Sequence, residues 1–435
     1  MSEVPSPSQS SGSSVGRTIA TWVTVVGLIY VLLVAVGMIG SGFKWASGGK
    51  EAAAEIFSFA TNPILGLLFG IFATAVVQSS STVASVIVGL VAGGLPVPLA
   101  IPMIMGANIG TTVTNTLVSM AHVTRPQEFR RAFAAATVHD CFNLIAVLVF
   151  LPLEILTHFL ASISHWMSGL LVGTGDMSIK GLNFVKPITK PVIDLVGEKG
   201  LLADMGAAGG VLLAVIGLVL IFSAILLLGK LLKRALVGRA ERIFHASVGR
   251  GPISGIASGT IITVLVQSSS TTTSLIIPMA GAGMMSLRQV FPFTLGANIG
   301  TTVTALLAAT GASDNAGAAL QIALVHLMFN IFGVLLIYGI PAFRAIPMKA
   351  AEYLADMAVR RKSLAISWIV VIYFLLPGGI YATMRALSPA PEPEAPAAEA
   401  PVEPGAASSN LPGETATPPA TEPADPAAAP TQTAP

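Results

Sequence analysis

The sequence predicts an all-α polytopic membrane protein with inverted-topology repeats, each carrying a re-entrant helical hairpin and a broken transmembrane helix. Three observations lead there. Of 435 residues, 53% are apolar and 10% charged, against about 25% charged in an ordinary soluble domain, too few to cover a soluble surface. The chain is self-similar: Gln78-Ser79-Ser80-Ser81-Thr82 returns as Gln267-Ser268-Ser269-Ser270-Thr271, and residues 106–114 return letter for letter as 296–304. The basic residues gather in a few short segments, which gives a consistent sidedness.

Taken in order, residues 1–17 are polar and Ser-rich, lack the basic start of a secretory signal, and are expected to be disordered. The first repeat, 18–153, opens with a plain apolar span at 18–40, long enough to cross a bilayer. A stretch at 56–94 is interrupted by Gln78-Ser79-Ser80-Ser81, and a third at 97–120 by Asn108-Ile109-Gly110-Thr111-Thr112. A fourth, 129–153, carries His139, Asp140 and Asn143. Residues 154–208 form a linker containing Lys, Pro and Gly. The second repeat, 209–343, repeats the pattern: a span at 209–229, a Gln-Ser-Ser-Ser interruption within 252–284, a polar interruption within 287–310, and His326 with Asn330 in 317–343. Segment 344–386 adds a basic stretch and one more transmembrane helix, and 387–435 is a Pro/Ala-rich tail that cannot bury a core and is expected to be disordered. The single cysteine, Cys141, permits no intrachain disulfide.

Arg and Lys concentrate in 122–131, 230–250 and 344–362. With those segments cytoplasmic and each Gln-Ser-Ser-Ser stretch returning to the side it left, the remaining spans alternate correctly from a cytoplasmic N-terminus. The first hairpin then enters from outside and the second from the cytoplasm, an inverted repeat of the kind many secondary transporters use. This implies a multi-pass protein of the cell's inner (plasma) membrane, with linker 154–208 and the C-terminal tail extracellular. The lipid bilayer is the expected surrounding. Nucleic acid is excluded as a partner, because the basic residues sit in short loops with no aromatic-basic surface. Oligomeric state is not legible.

Polar interruptions at membrane depth are tolerated only where they are buried in protein or line a wet cavity. Ser and Thr cap helices, and Asn and Gly accept unwound backbone. Four half-helix N-termini are therefore expected to converge near the midplane, two from the Gln-Ser-Ser-Ser turns and two from the Asn-Ile-Gly-Thr-Thr motifs. Their free N–H groups would receive an anion, and the surrounding oxygens suit Na⁺. The candidate substrate ligands are Gln78, Ser79, Ser80, Ser81, Thr82, Asn108, Ser268, Ser269, Ser270, Thr271 and Asn298. No Lys or Arg lies inside any motif, so co-bound cations are expected to offset the anion's charge, which would couple the two. Asp140 sits deep in a span and is matched by Leu327 in the second repeat. It reads as an additional cation ligand or proton carrier. His139 and His326 read as support for neighbouring groups.

At these motifs the chain resembles the type II sodium–phosphate cotransporter family. The duplicated QSSS, the GANIGTT following each, and FRRAFAAATVHDCFN at 129–143 carry the likeness, which runs from about 56 to 343. The resemblance implies uptake of inorganic phosphate with Na⁺, and a substrate site formed by Ser79, Ser80, Ser81, Ser268, Ser269 and Ser270. It also implies sodium at Gln267, Ser268, Thr301 and Thr304. Electrogenic members carry Asp where Asp140 stands and electroneutral ones Gly, which implies one more Na⁺ here. Arg125 and Ala297 depart from the animal pattern at a further sodium site that also involves the position of Asn143. No enzyme activity is expected, and no cofactor beyond co-transported sodium ions. Two other readings stand beside this one: a cation- or proton-coupled transporter of another small anion on the same fold, and an intramembrane serine hydrolase using Ser80 or Ser269. The hydrolase is disfavoured, because catalysis needs one activated serine and no Gly-x-Ser-x-Gly elbow is present.

Overall fold

The structure, a computed structural model, describes residues 11–48, 62–172, 185–247, 250–312 and 315–387. Among them every regular element is helical, and seven helices are long and apolar enough to cross a membrane. The chain is an all-α polytopic membrane protein.

Helix α1 (Ser11–Ser47) starts within the polar segment 1–17, so residues 11–17 are helical; the rest of that segment and 388–435 lie outside the described residues. A hairpin follows, α2 (Pro63–Val77) and α3 (Ser80–Gly93), and then α4 (Val97–Gly110), α5 (Val113–Ser119) and α6 (Pro126–Thr157). The expected linker contains two helices, α7 (Phe159–Val172) and α8 (Val185–Val196). The pattern then returns as α9 (Gly206–Ser247), the hairpin α10 (Pro252–Val266) and α11 (Ser269–Gly281), α12 (Leu287–Ala309) and α13 (Ala316–Gly333). Helix α14 (Pro341–Arg360) precedes the last apolar segment, α15 (Ser363–Val370) and α16 (Leu376–Leu387) joined by a π-turn at Val371–Leu375.

Glycine decides how the corresponding helices meet. A Cβ on Gly70 would overlap the Met103 carbonyl oxygen, and one on Gly106 the Leu67 carbonyl oxygen, so α2 and α4 lie backbone to backbone. In the same way Gly259 abuts the Phe293 carbonyl and Gly296 the Ile256 carbonyl, bringing α10 onto α12. Small residues are what close helix packing in lipid requires, because apolar side chains gain little by leaving lipid for one another. Helix α1 packs along α9, so the two opening helices lie side by side. Outside the apolar core, Arg130 of α6 holds Asp356 of α14 through two guanidinium hydrogen bonds.

The expected interruption of the third stretch differs between the repeats. In the first, α4 and α5 are separated by a tightened turn at Thr111 and Thr112, both of which keep right-handed helical angles (φ −61°, ψ −30° and φ −87°, ψ −9°). In the second, α12 runs unbroken through Asn298 and Thr301. The hydroxyls behave alike in the two repeats. Thr111 Oγ1 donates to the Ala107 carbonyl and Thr301 Oγ1 to the Ala297 carbonyl, each at 3.0 Å, so these side chains satisfy themselves on their own helix. Gly300 is required for proximity: a Cβ there would lie 2.7 Å from the Thr260 carbonyl oxygen. Thr112 makes no side-chain cap for α5. Of the four expected half-helix N-termini, two belong to the hairpins, a third opens α5 at Val113 without a side-chain cap, and the fourth is missing because α12 is continuous.

Candidate anion and cation site

Each hairpin turns on one residue. Gln78 ends α2 in the left-handed region (φ 58°, ψ 25°) and Gln267 ends α10 likewise (φ 56°, ψ 27°). Left-handed backbone is uncommon for a residue with a side chain, so something must hold it there, and the amide does. Gln78 Nε2 donates to the Ala75 carbonyl, while Oε1 accepts from Thr114 Oγ1 at 2.6 Å. Gln267 Nε2 donates to the Val264 carbonyl at 2.7 Å, and Oε1 accepts from Thr304 Oγ1 at 2.9 Å. Thr114 and Thr304 occupy the same place in the repeated nine-residue motif, so each repeat ties its hairpin turn to its third stretch by the same bond.

The next residue is extended and starts the returning helix. Ser79 Oγ accepts from the Thr82 amide at 3.3 Å and Ser268 Oγ from the Thr271 amide at 3.2 Å. The first backbone N–H groups of α3 and α11 thus begin at the two turns, where unpaired N–H groups and the helix dipole favour an anion.

Both turns line one cavity of about 240 Å³. Its wall takes in Gln78, Ser79, Ser80 and Ser81 from the first repeat and Gln267, Ser268, Ser269, Ser270 and Thr271 from the second. Thr82 is buried and pairs with Ser79 Oγ at 2.8 Å, so it supports the cap and does not reach the cavity. The remaining wall belongs to α9, which contributes Lys230 and Lys233. The motifs themselves hold no cation, yet two cations stand across the cavity from them. Their signal in the sequence was helical spacing at the end of an apolar span, which reads equally well as a cytoplasmic flank.

Asn108 and Asn298 are buried away from that cavity, and the substrate contact expected of them is not what the structure places there. They belong to a network joining the repeats. Asn298 Nδ2 donates to Asn143 Oδ1 at 2.9 Å, Asn143 Nδ2 donates to the Asn108 carbonyl at 2.9 Å, and His139 Nε2 pairs with Asn298 Oδ1 at 2.5 Å. Asn330 Nδ2 donates to the His326 carbonyl at 2.9 Å and reaches Asn108 Oδ1 at 3.4 Å. Of the two histidines read as support, His139 bonds Asn298 through Nε2, whereas both ring nitrogens of His326 are buried with no hydrogen-bond partner. Asn143 has both amide atoms engaged here, which leaves it less free to hold sodium. Thr301 is buried against its own helix, whereas Gln267, Ser268 and Thr304 adjoin one another at the second turn.

Asp140 is buried in a separate cluster. Its Oδ2 accepts from Trp368 Nε1 at 3.0 Å and lies 3.5 Å from Thr116 Oγ1, while Oδ1 is buried with no hydrogen-bond partner. Beside it, Tyr373 OH pairs with Thr112 Oγ1 at 2.5 Å. Trp368 and Tyr373 come from the last apolar segment, which the sequence assigned to neither repeat. An indole N–H and a phenol in an otherwise apolar span need polar partners, and that was the signal available for them. Another bond crosses between the repeats at Thr273 Oγ1 and Asn115 Oδ1, 2.8 Å apart. Arg125 is exposed and pairs with Glu128 at 2.9 Å, and Ala297 is fully buried. No group of three or more His, Cys, Asp or Glu gathers among the described residues.

Comparison with known proteins gives this arrangement a lineage. The profile of the Na⁺/Pi-cotransporter family matches residues 31–173 and 219–347, which take in both hairpins, the Asn network and Asp140 but not Trp368 or Tyr373. Rat sodium-dependent phosphate transport protein 2A is 33% identical over 444 aligned residues, covering 85% of this chain and 68% of the rat protein. Sheep protein 2A is 32% identical, covering 84% and 68%, and human protein 2B is 30% identical, covering 82% and 64%. No solved structure matches. The chain belongs to the Na⁺/Pi-cotransporter family, a family of transporters and not of enzymes.

Proposed function

We propose that the protein is a symporter importing inorganic phosphate with Na⁺ by alternating access, across the plasma membrane and with a cytoplasmic N-terminus. The observation that carries this reading is the cavity shared by the two Gln-Ser-Ser-Ser turns, each the start of a helix. Phosphate sits there on the N-terminal amides of α3 and α11 and on the hydroxyls of Ser79, Ser80, Ser81, Ser268, Ser269, Ser270 and Thr271. Sodium is held at the second turn by oxygens of Gln267, Ser268 and Thr304, with Thr301 engaged on its own helix one turn before Thr304, and its charge offsets that of the buried anion. Gln78 and Thr82 shape the first turn. Asn108, Asn298 and Asn143 join the repeats 18–153 and 209–343, which move against one another as the cavity changes side.

Asp140 supplies a further cation site, and its unpartnered Oδ1 supports that role. A carboxylate that takes up one more Na⁺ per cycle makes transport electrogenic, since net positive charge then crosses with each phosphate. The test is uptake of radiolabelled phosphate into proteoliposomes under an inward Na⁺ gradient, with and without an inside-negative potential. Uptake is expected to require Na⁺ and to rise with the potential. Uptake driven by a proton gradient, or abolished by unlabelled sulfate or carboxylate and not by phosphate, would replace this reading with another anion or coupling ion.

A further inference from the structure

We infer that Lys230 and Lys233 hold phosphate on one side only of its path, so that phosphate accumulated in the cytoplasm occupies the cavity again and slows the transporter. This rests on the phosphate symport reading above.

The two lysines are part of the wall of the cavity shared by the serine turns. Ile225, Gly229 and Lys233 follow one another at four-residue intervals and Leu226 precedes Lys230 by four, so the residues of α9 that line the cavity form one helical face. Gly229 leaves that face open: a Cβ there would meet only the Val266 carbonyl oxygen, at 3.7 Å. No Asp or Glu lines the cavity, and neither lysine is paired with a carboxylate among the described residues. Two exposed lysines with no carboxylate partner among the described residues therefore border the cavity lined by the hydroxyls and helix starts that receive the anion. At exposed positions this attraction is screened by salt, so the two lysines together supply a modest, ionic-strength-dependent hold on phosphate.

The repeats do not share this feature. Helix α1 opens the first repeat as α9 opens the second, yet α1 adds no residue to the wall. A site built from twofold-related turns is thus electrostatically lopsided. The charge lies where α9 passes into the basic segment 230–250, the part of the chain that the distribution of Arg and Lys assigns to the cytoplasm. From that side, phosphate meets the lysines together with the serine turns. A one-sided hold requires that in the alternate state of the repeats, open to the opposite side, the end of α9 leaves the route. The expected property is product inhibition tuned by two side chains.

The experiment uses right-side-out membrane vesicles loaded with increasing inorganic phosphate, with Na⁺-driven uptake of external radiolabelled phosphate as the readout. In the double variant Lys230→Gln/Lys233→Gln the internal phosphate concentration that halves uptake is expected to rise about tenfold, with the external KM within about twofold of wild type. Lys230→Arg/Lys233→Arg should restore inhibition, because charge and not lysine itself is required. Raising the ionic strength should weaken inhibition in the wild type more than in the glutamine variant. Lys190→Gln, at a lysine that pairs with Asp194 away from the cavity, serves as the charge-loss control and should leave the inhibition unchanged. Unchanged internal inhibition in the glutamine variant, or an equal rise in external KM, overturns the inference and leaves the symport reading standing. Wild-type vesicles that take up no phosphate under a Na⁺ gradient overturn both.

Discussion

Asn298 of the second repeat donates a hydrogen bond to Asn143 of the first at 2.9 Å, and both side chains are buried. Around this bond His139 and the Asn108 carbonyl complete a chain of polar contacts that runs from one repeat into the other. The serine turns are anchored to their own repeats through Gln78–Thr114 and Gln267–Thr304. The arrangement therefore divides labour: glutamine fixes each turn, and asparagine fixes the turns relative to one another.

Removing either amide leaves the other buried without its partner, at a cost of about 1–3 kcal/mol. Asn143→Ala and Asn298→Ala are each expected to lower the thermal stability of the purified protein and the rate of phosphate uptake. The double variant should lose less than the sum of the two single losses, because the bond they share is counted once, while Asn143 with Asn108 and Asn298 with His139 keep separate bonds that each truncation removes. Full additivity of the two losses would show that the residues act independently.

Ser79 and Ser268 cap α3 and α11, so Ser→Ala variants confound helix stability with ligand binding. Glycine separates the two, since it replaces serine at an N-cap for only a few tenths of a kcal/mol where alanine costs about 1. Ser79→Gly and Ser268→Gly are expected to keep near-wild-type melting temperatures while the KM for phosphate rises about tenfold, the equivalent of about 1.4 kcal/mol. A KM unchanged in both glycine variants would reduce these serines to caps.

The repeat, the hairpin turns at Gln78 and Gln267, and the burial of Asp140 were all legible in the sequence, because each rests on local chemistry: a cap, a polar break, a charge in an apolar run. What the sequence misassigned has a common cause. Asn-Ile-Gly-Thr-Thr reads as a breaker by composition and does end α4 in the first repeat, but in the second α12 runs on, its Thr301 hydroxyl bonded back to its own helix and its Gly300 needed for contact with a neighbour. Lys230, Trp368 and Tyr373 matter through partners far away in the chain, and one sequence carries no record of such pairings.

The close approach of α2 to α4 and of α10 to α12 gives a stability test. Gly70→Ala and Gly259→Ala force a methyl group into the carbonyls of Met103 and Phe293, and overpacking of this kind costs about 1–3 kcal/mol or more. Both variants should melt earlier and yield less monodisperse protein in detergent. Gly27→Ala is the comparison: a Cβ there meets nothing within 4 Å, so its stability should be unchanged or slightly raised by the better helix propensity of alanine.

Asp140 and Trp368 test whether the last apolar segment takes part in coupling. Asp140→Asn keeps a side-chain oxygen for the indole N–H and removes the charge. The protein should therefore stay folded and still take up phosphate with Na⁺, while the dependence of uptake on membrane potential disappears. Asp140→Gly should lose the same dependence and some stability as well, because Trp368 Nε1 then lacks the acceptor it has at 3.0 Å. Trp368→Phe acts in the opposite sense. The carboxylate remains beside Thr112, Thr116 and Tyr373, but Oδ2 loses the indole donor that fixes it at 3.0 Å, so the group is held less firmly for a cation. The expected result is a higher Na⁺ concentration for half-maximal uptake, with the KM for phosphate at saturating Na⁺ unchanged. A Trp368→Phe protein with wild-type Na⁺ activation would confine the indole to packing and leave Asp140 to act without help from the last segment.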